Sequence, residues 1–192
     1  GSSSIAIGYR ALTTEDTGSR NVAIGDNALA ALNYDGVGYN VAMGFYAGAA
    51  MTTGVENTII GGNAGDALTT GQRNTAIGTY ALGADTTGQY SVAIGRGALA
   101  AQNFTGGEVS YNVAVGYDAG NDITTGTMNT LVGALTGDAL TTGSRNTAMG
   151  IGALGTEDTG DRNTAFGYGS LGTLNYDGSG YNTAVGYETG TA

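Results

Sequence analysis

The pentad Asn74-Thr75-Ala76-Ile77-Gly78 returns along the whole chain, and a fixed internal period constrains a fold more tightly than length does. Its copies are Asn21–Gly25, Asn40–Gly44, Asn57–Gly61, Ser91–Gly95, Asn112–Gly116, Asn129–Gly133, Asn146–Gly150, Asn163–Gly167 and Asn182–Gly186, with Ser4–Gly8 as an altered first copy. Counting the Asn or Ser of each copy as position 1 gives eleven units, mostly 17 residues long, the last one truncated. Repeat chains grow along one axis, so 192 residues organised this way read as a single solenoid over 4–192. Gly1-Ser2-Ser3 reads as a cloning remnant, and ends that fall near unit boundaries suggest a piece of something longer.

Within the pentad, position 3 is Ala except at Ile59 and Leu131, position 4 is a larger apolar residue such as Ile24, Met43 or Phe166, and position 5 is Gly. Alternation of period two, with frequent Gly and Thr, favours a short strand over a helix. Positions 2 and 4 of a strand face one way and positions 3 and 5 the other. We assign Ala and Gly to the narrow interior of a flattened coil. The bulky stripe of Val22, Ile24, Val41, Met43, Ile60, Ile77, Val92, Ile94, Val113, Val115, Met149, Phe166 and Val185 then faces a neighbouring surface. The opposite assignment, with this stripe inward, is the alternative. A second short strand is expected at positions 8 and 9, as in Ala81-Leu82 or Ala98-Leu99. A turn then closes the unit with Thr at position 14 and Gly at position 15, as in Thr70-Gly71, where Gly would supply a positive φ. At about 4.8 Å per rung, eleven units make an all-β parallel β-solenoid about 50 Å long.

A slower rhythm overlies this one. Position 9 reads Leu12, Leu29, Gly48, Gly65, then Leu82, Leu99, Gly120, Gly137, then Leu154, Leu171, Gly190, so the full repeat is four rungs: 4–73, 74–145 and a truncated 146–192. The second unit of each set carries a longer closing loop, at Asn33–Tyr39, Asn103–Tyr111 and Asn175–Tyr181. Such loops project from one edge of a solenoid and are where binding usually varies. Tyr34, Asp35, Phe104, Tyr176 and Asp177 are therefore the candidate receptor-contact residues.

Composition removes many function classes. The net charge is −10, with six Arg and no Lys or His, so a phosphate backbone would be repelled and no nucleic-acid partner is expected. Lacking His, Cys and Lys, the chain has no imidazole base, thiol or amine, and we expect no enzyme, catalytic residue, cofactor or metal site. The acidic pairs Glu15-Asp16 and Glu157-Asp158 occupy equivalent positions of units one and nine, and read as copied turn residues rather than a glycosidase pair. Gly61–Leu68 only partly fits the calcium nonapeptide, because Ala64 replaces a turn glycine. No apolar run approaches a membrane span, so membrane insertion is not expected. The Asn column at position 1 is expected to form a hydrogen-bonded ladder, and the Arg and Tyr residues at position 17 to stack along one edge. The Thr column, including Thr17, Thr53, Thr87 and Thr159, raises ice binding, or binding to insoluble polysaccharide, as the alternative function.

The phrases Ser91–Gly95, Asn21–Gly25 and Asn74–Gly78 resemble the head repeats of trimeric autotransporter adhesins and the related repeats of phage tail fibres that precede a self-cleaving chaperone. The likeness runs from Ser4 to Ala192. It implies a β-roll whose three copies pack side by side, at the surface of a bacterium or on a virion, as a non-enzymatic structural and adhesive element contacting a host glycan or protein. The chain departs from the adhesin heads in its 17-residue unit and four-rung superperiod, which favour the phage-fibre relative. A homotrimer also follows from the bulky stripe, which is too large an apolar surface for a soluble monomer.

Overall fold

A computed structural model of the chain describes residues 3–191; Gly1, Ser2 and Ala192 lie outside the described residues. It is a parallel β-solenoid of eleven turns. Each turn contributes one three-residue strand: β1 (Ile5–Ile7), β2 (Val22–Ile24), β3 (Val41–Met43), β4 (Thr58–Ile60), β5 (Thr75–Ile77), β6 (Val92–Ile94), β7 (Val113–Val115), β8 (Thr130–Val132), β9 (Thr147–Met149), β10 (Thr164–Phe166) and β11 (Thr183–Val185). The strands form one sheet in chain order, paired in parallel. Like lies over like: Ala23 pairs with Ala42, Ala76 with Ala93 and Ile77 with Ile94. No helix occurs among the described residues.

The side chain at position 3 is buried in every rung from β2 to β11, while those at positions 2 and 4 stay half-buried or exposed. Ala therefore lines the interior and the bulky stripe faces out. Position 5 is not an interior position. Its glycines turn the corner with φ near +130°, as at Gly61 (138°), and a Cβ there would lie 2.6 Å from the carbonyl carbon of Gly78 one rung on. Both the conformation and the contact exclude any other residue.

Two local expectations are corrected. Positions 8 and 9 form no strand, because position 9 adopts the left-handed region whatever its side chain: φ is 54° at Leu82 and 49° at Gly65. The rungs still join there through single bonds such as Leu82 N–H to Ala98 C=O, 3.0 Å. The turn glycines at position 15 do not have positive φ. They are small because a Cβ on Gly71 would meet the Gly88 carbonyl at 2.7 Å. The left-handed residue of that turn is instead position 17, with Arg73 at 57° and Tyr90 at 61°.

The four-rung superperiod is a packing rule. Where position 9 is Leu, as at Leu29 and Leu82, the buried position-3 neighbour is Ala23 or Ala76. Where position 9 is Gly, the vacated space is filled from position 3. Ile59 Cδ1 stands 3.2 Å from where a Gly48 Cβ would be and 3.3 Å from that of Gly65, and Leu131 does the same for Gly120 and Gly137. Interiors are filled to crystal-like density, so one side chain must grow where another vanishes.

Candidate functional site

Three features could meet a partner: the outward strand face, the long loops, and the edges where arginines lie over tyrosines. On the strand face, every proposed interface residue is left open by the single chain. Val22, Ile24, Val41, Ile60, Ile77, Val92, Ile94, Val113, Val115 and Phe166 are half-buried, and Met43, Met149 and Val185 are exposed. One position past the corner glycine a further apolar column runs alongside, with Tyr9, Phe45, Tyr117, Ile151, Tyr168 and Tyr187 all exposed. Period-two reasoning did not reach this column, because the corner at position 5 ends the strand. The signal in the sequence is the frequency of aromatic residues directly after the pentad.

The long loops are built from below by an acid at position 12. Elsewhere that column holds the core residues Leu32, Met51, Leu68, Ile123 and Leu140, and the buried Gln102 in the second rung of the middle set. In the first rung of each set it is Glu15, Asp85 or Glu157 instead, and the latter two are fully buried. Each carboxylate accepts the N–H of its own turn glycine: Gly18 to Glu15 at 2.6 Å, Gly88 to Asp85 at 3.0 Å and Gly160 to Glu157 at 2.8 Å. Each also accepts the N–H of the loop aromatic one rung on: Tyr34 at 3.4 Å, Phe104 at 3.1 Å and Tyr176 at 3.2 Å. The acidic pairs of units one and nine thus contain one inward anchor apiece, and the loops are held rather than loose. The clue was positional: an acid stands in a core column one rung before each long loop.

Of the loop residues, Tyr34 and Tyr176 are exposed. Phe104 is not available as a contact: it is 5% exposed, because its loop folds back over Asp85. Asp35 accepts a hydrogen bond from Thr17, and Asp177 one from Thr159 at 2.9 Å. Around Asp85 lies a buried polar cluster. Gln102 Nε2 donates to Asp85 at 2.6 Å and to Ser91 Oγ at 2.8 Å, its Oε1 accepts from Asn112 at 2.9 Å, and the Ser91 and Ser110 hydroxyls meet at 2.5 Å. Burial pushes the Asp85 carboxyl above its ordinary value, against the donors from Gln102, Gly88, Phe104 and Thr86. Burial likewise raises Asp138, helped by the charges of Asp122 and Asp118.

The Asn ladder is present but differs from stacked amides. Oδ1 of each Asn chiefly accepts the next rung's backbone N–H, as from Asn146 to Asn129 at 2.9 Å, while Nδ2 reaches back to the position-15 carbonyl of its own unit, as from Asn129 to Gly143 at 2.8 Å. In the long-loop rungs that carbonyl is displaced. Asn21 and Asn163 consequently have a buried Nδ2 with no partner, and the middle set carries Ser91 there instead. Thr17, Thr87 and Thr159 donate their hydroxyls to acceptors on the neighbouring rung.

Along the position-17 edge the guanidinium of Arg20 lies 5.6 Å from the Tyr39 ring centre, and those of Arg73 and Arg162 lie 5.4 Å from Tyr90 and Tyr181. Arg73 also pairs with Glu56 at 2.7 Å, and that hydrogen bond raises its pKa. These contacts run rung to rung along the edge. No family model, curated protein or solved structure matches the chain.

Proposed function

We propose that the chain is a non-enzymatic structural and adhesive segment, a stiff shaft or head of a phage tail fibre or bacterial surface adhesin. It works outside the cell as a side-by-side homotrimer that meets a host glycan or protein through its long loops. The observation that carries this is the outward strand face. Its apolar stripe runs the full length of an eleven-rung sheet and is sealed by nothing in the single chain. Position 4 is apolar in every rung, and position 2 is Val or Ile in five rungs and Thr in the other six, so a continuous apolar line about 50 Å long is left open on the single chain. Identical copies laid in parallel would put like residues together at every rung.

The loops support the adhesive half of the reading. They recur at one edge, expose Tyr34 and Tyr176, and are tied down by the carboxylates of half-buried Glu15 and buried Glu157, so little ordering entropy is lost on binding. Light scattering is expected to give about three times the chain mass of 19.0 kDa. Ile77→Asp should dissociate or unfold the assembly, whereas Thr87→Ala should leave it assembled; a monodisperse monomer refutes the trimer. A glycan array with all three loops cut back to the 17-residue form tests the contact surface, and unchanged binding would move it off the loops.

A further inference from the structure

The three four-rung sets can be compared position by position, and the third differs from the others just past the pentad. In the second set, Arg96 at position 6 lies over the Tyr117 ring, 5.4 Å from its centre, and its Nη1 pairs with Asp118 at 3.2 Å. The corresponding residues of the third set are Tyr168, Tyr187 and Glu188. The aromatic ring and the acid are kept, but the cation between them is gone. Tyr168 and Tyr187 now stack, centres 5.2 Å apart and planes at 10°, with Tyr168 51% and Tyr187 71% exposed. The three ion pairs among the described residues do not include Glu188, whose carboxylate takes a hydrogen bond from Tyr187.

The same place has been hollowed out. Position 7 holds Arg10 and Tyr80 in the first rungs of sets one and two, but Gly152 in set three. The backbone does not require this glycine, since φ is 55° at Arg10, 60° at Tyr80, 56° at Leu135 and 64° at Gly152. Nothing lies within 4 Å of where its Cβ would be. The result is an open cavity of about 420 Å³ floored by Gly152 and Gly169, walled by Leu135, Ile151 and Tyr168, and closed at one end by Glu188. Two of its walls, Ile151 and Tyr168, belong to the apolar column beside the strand face, so the cavity borders the proposed trimer contact.

We propose that this cavity binds a small organic cation, a guanidinium or alkylammonium group on an apolar stem. The stem would lie against Leu135 and Ile151, with the charge between the Tyr168 ring and the Glu188 carboxylate. The second set supplies this cation from its own chain, through Arg96. A guest cation in the third set would again meet a ring and an acid, the ring now being Tyr168, which stands at the position of Arg96, and the acid Glu188. The net charge of −10 enriches cations near the surface.

The test is an NMR titration of the full chain with n-butylguanidinium, with n-butylurea as an uncharged control of the same shape. Saturable shifts at the Gly152 and Gly169 amides are expected for the cation and not for the urea. Glu188→Gln is expected to weaken binding about tenfold through loss of the charge-assisted contact. Tyr168→Arg, the residue found at Arg96, and Gly152→Tyr, the residue found at Tyr80, should each abolish binding while leaving the melting curve in place. The proposal is overturned if the cation shows no saturation, if the urea binds equally, or if Glu188→Gln binds as the parent does. Should either filling variant fold poorly, the comparison of cation, urea and Glu188→Gln still decides the matter. Trimer formation is read separately by light scattering.

Discussion

Ile59→Ala tests the packing rule behind the four-rung period. Ile59 is fully buried in β4 and reaches over two position-9 glycines, Gly48 and Gly65. Truncation removes three carbons, worth about 2.4 kcal/mol at ~0.8 kcal/mol each, before any cavity is counted. The site cannot close over the loss, because the glycine backbones are held to the next rung by Gly48 N–H to Ala64 C=O at 3.0 Å and Gly65 N–H to Ala81 C=O at 2.9 Å. A total of about 3–4 kcal/mol is expected, in the upper part of the range for such truncations. Gly65→Leu alone should overpack the core and cost about 1–3 kcal/mol, since its Cβ would already stand 2.9 Å from Leu68 Cδ1. Together the two changes give unit four the set of unit two, where Ala23, Leu29 and Leu32 pack with Leu29 at φ 49°. The double variant should therefore cost less than the sum of the two single changes, with the space beside Gly48 left unfilled. Urea unfolding followed by circular dichroism measures all three proteins. Costs that simply add would refute the argument that position 3 and position 9 share one volume.

Asn129→Ala removes a buried bond to Asn146 N–H and another to the Gly143 carbonyl, and is expected to cost about 2–4 kcal/mol in the same assay. A loss below about 1 kcal/mol would mean that the ladder contributes little. Glu157→Ala should leave the Tyr176 N–H without its acceptor and accelerate its hydrogen exchange, with the Asn129 amide unaffected; equal protection in both proteins would sink the anchor role. For Asp85 the sign follows from burial. The folded state holds the proton to a higher pH than the unfolded chain does, so this group's contribution to stability declines as pH rises above about 4. The unfolding free energy of the parent minus that of Asp85→Asn should therefore fall between pH 4 and neutrality, and a rise would contradict the desolvation account.

The parallel coil, its rung count and its outward stripe were legible because stacked rungs repeat one environment, and the pentad reports that environment directly. Ile77 over Ile94 and Ala76 over Ala93 are what a period of 17 residues predicts. What escaped was local conformation that residue type conceals. Leu82, Arg73 and Tyr80 hold φ of 54°, 57° and 60°, a region in which a Leu, Arg or Tyr would not be placed from propensity. They persist because bonds to the rungs on either side fix the backbone, which also removed the expected second strand. The buried acids escaped for the opposite reason. Glu157 looked like a surface turn residue in an acidic chain, and only its column, shared with Leu68 and Leu140, says that it points inward.

The same column logic separates shaft from site. A residue repeated in all three sets answers to the coil, whereas one that departs while its backbone angle stays the same has been released from that duty. Phe104 and Gly152 are both departures. Phe104 replaces a tyrosine and goes inward, where the cluster around Asp85 accommodates it, so its loop is tied down. Gly152 replaces a large residue and leaves space open to solvent beside an acid and two stacked rings. A loss of volume that the core does not refill stabilises nothing in the fold itself. That places the third set, rather than the better-anchored middle one, first among the positions to probe for a ligand.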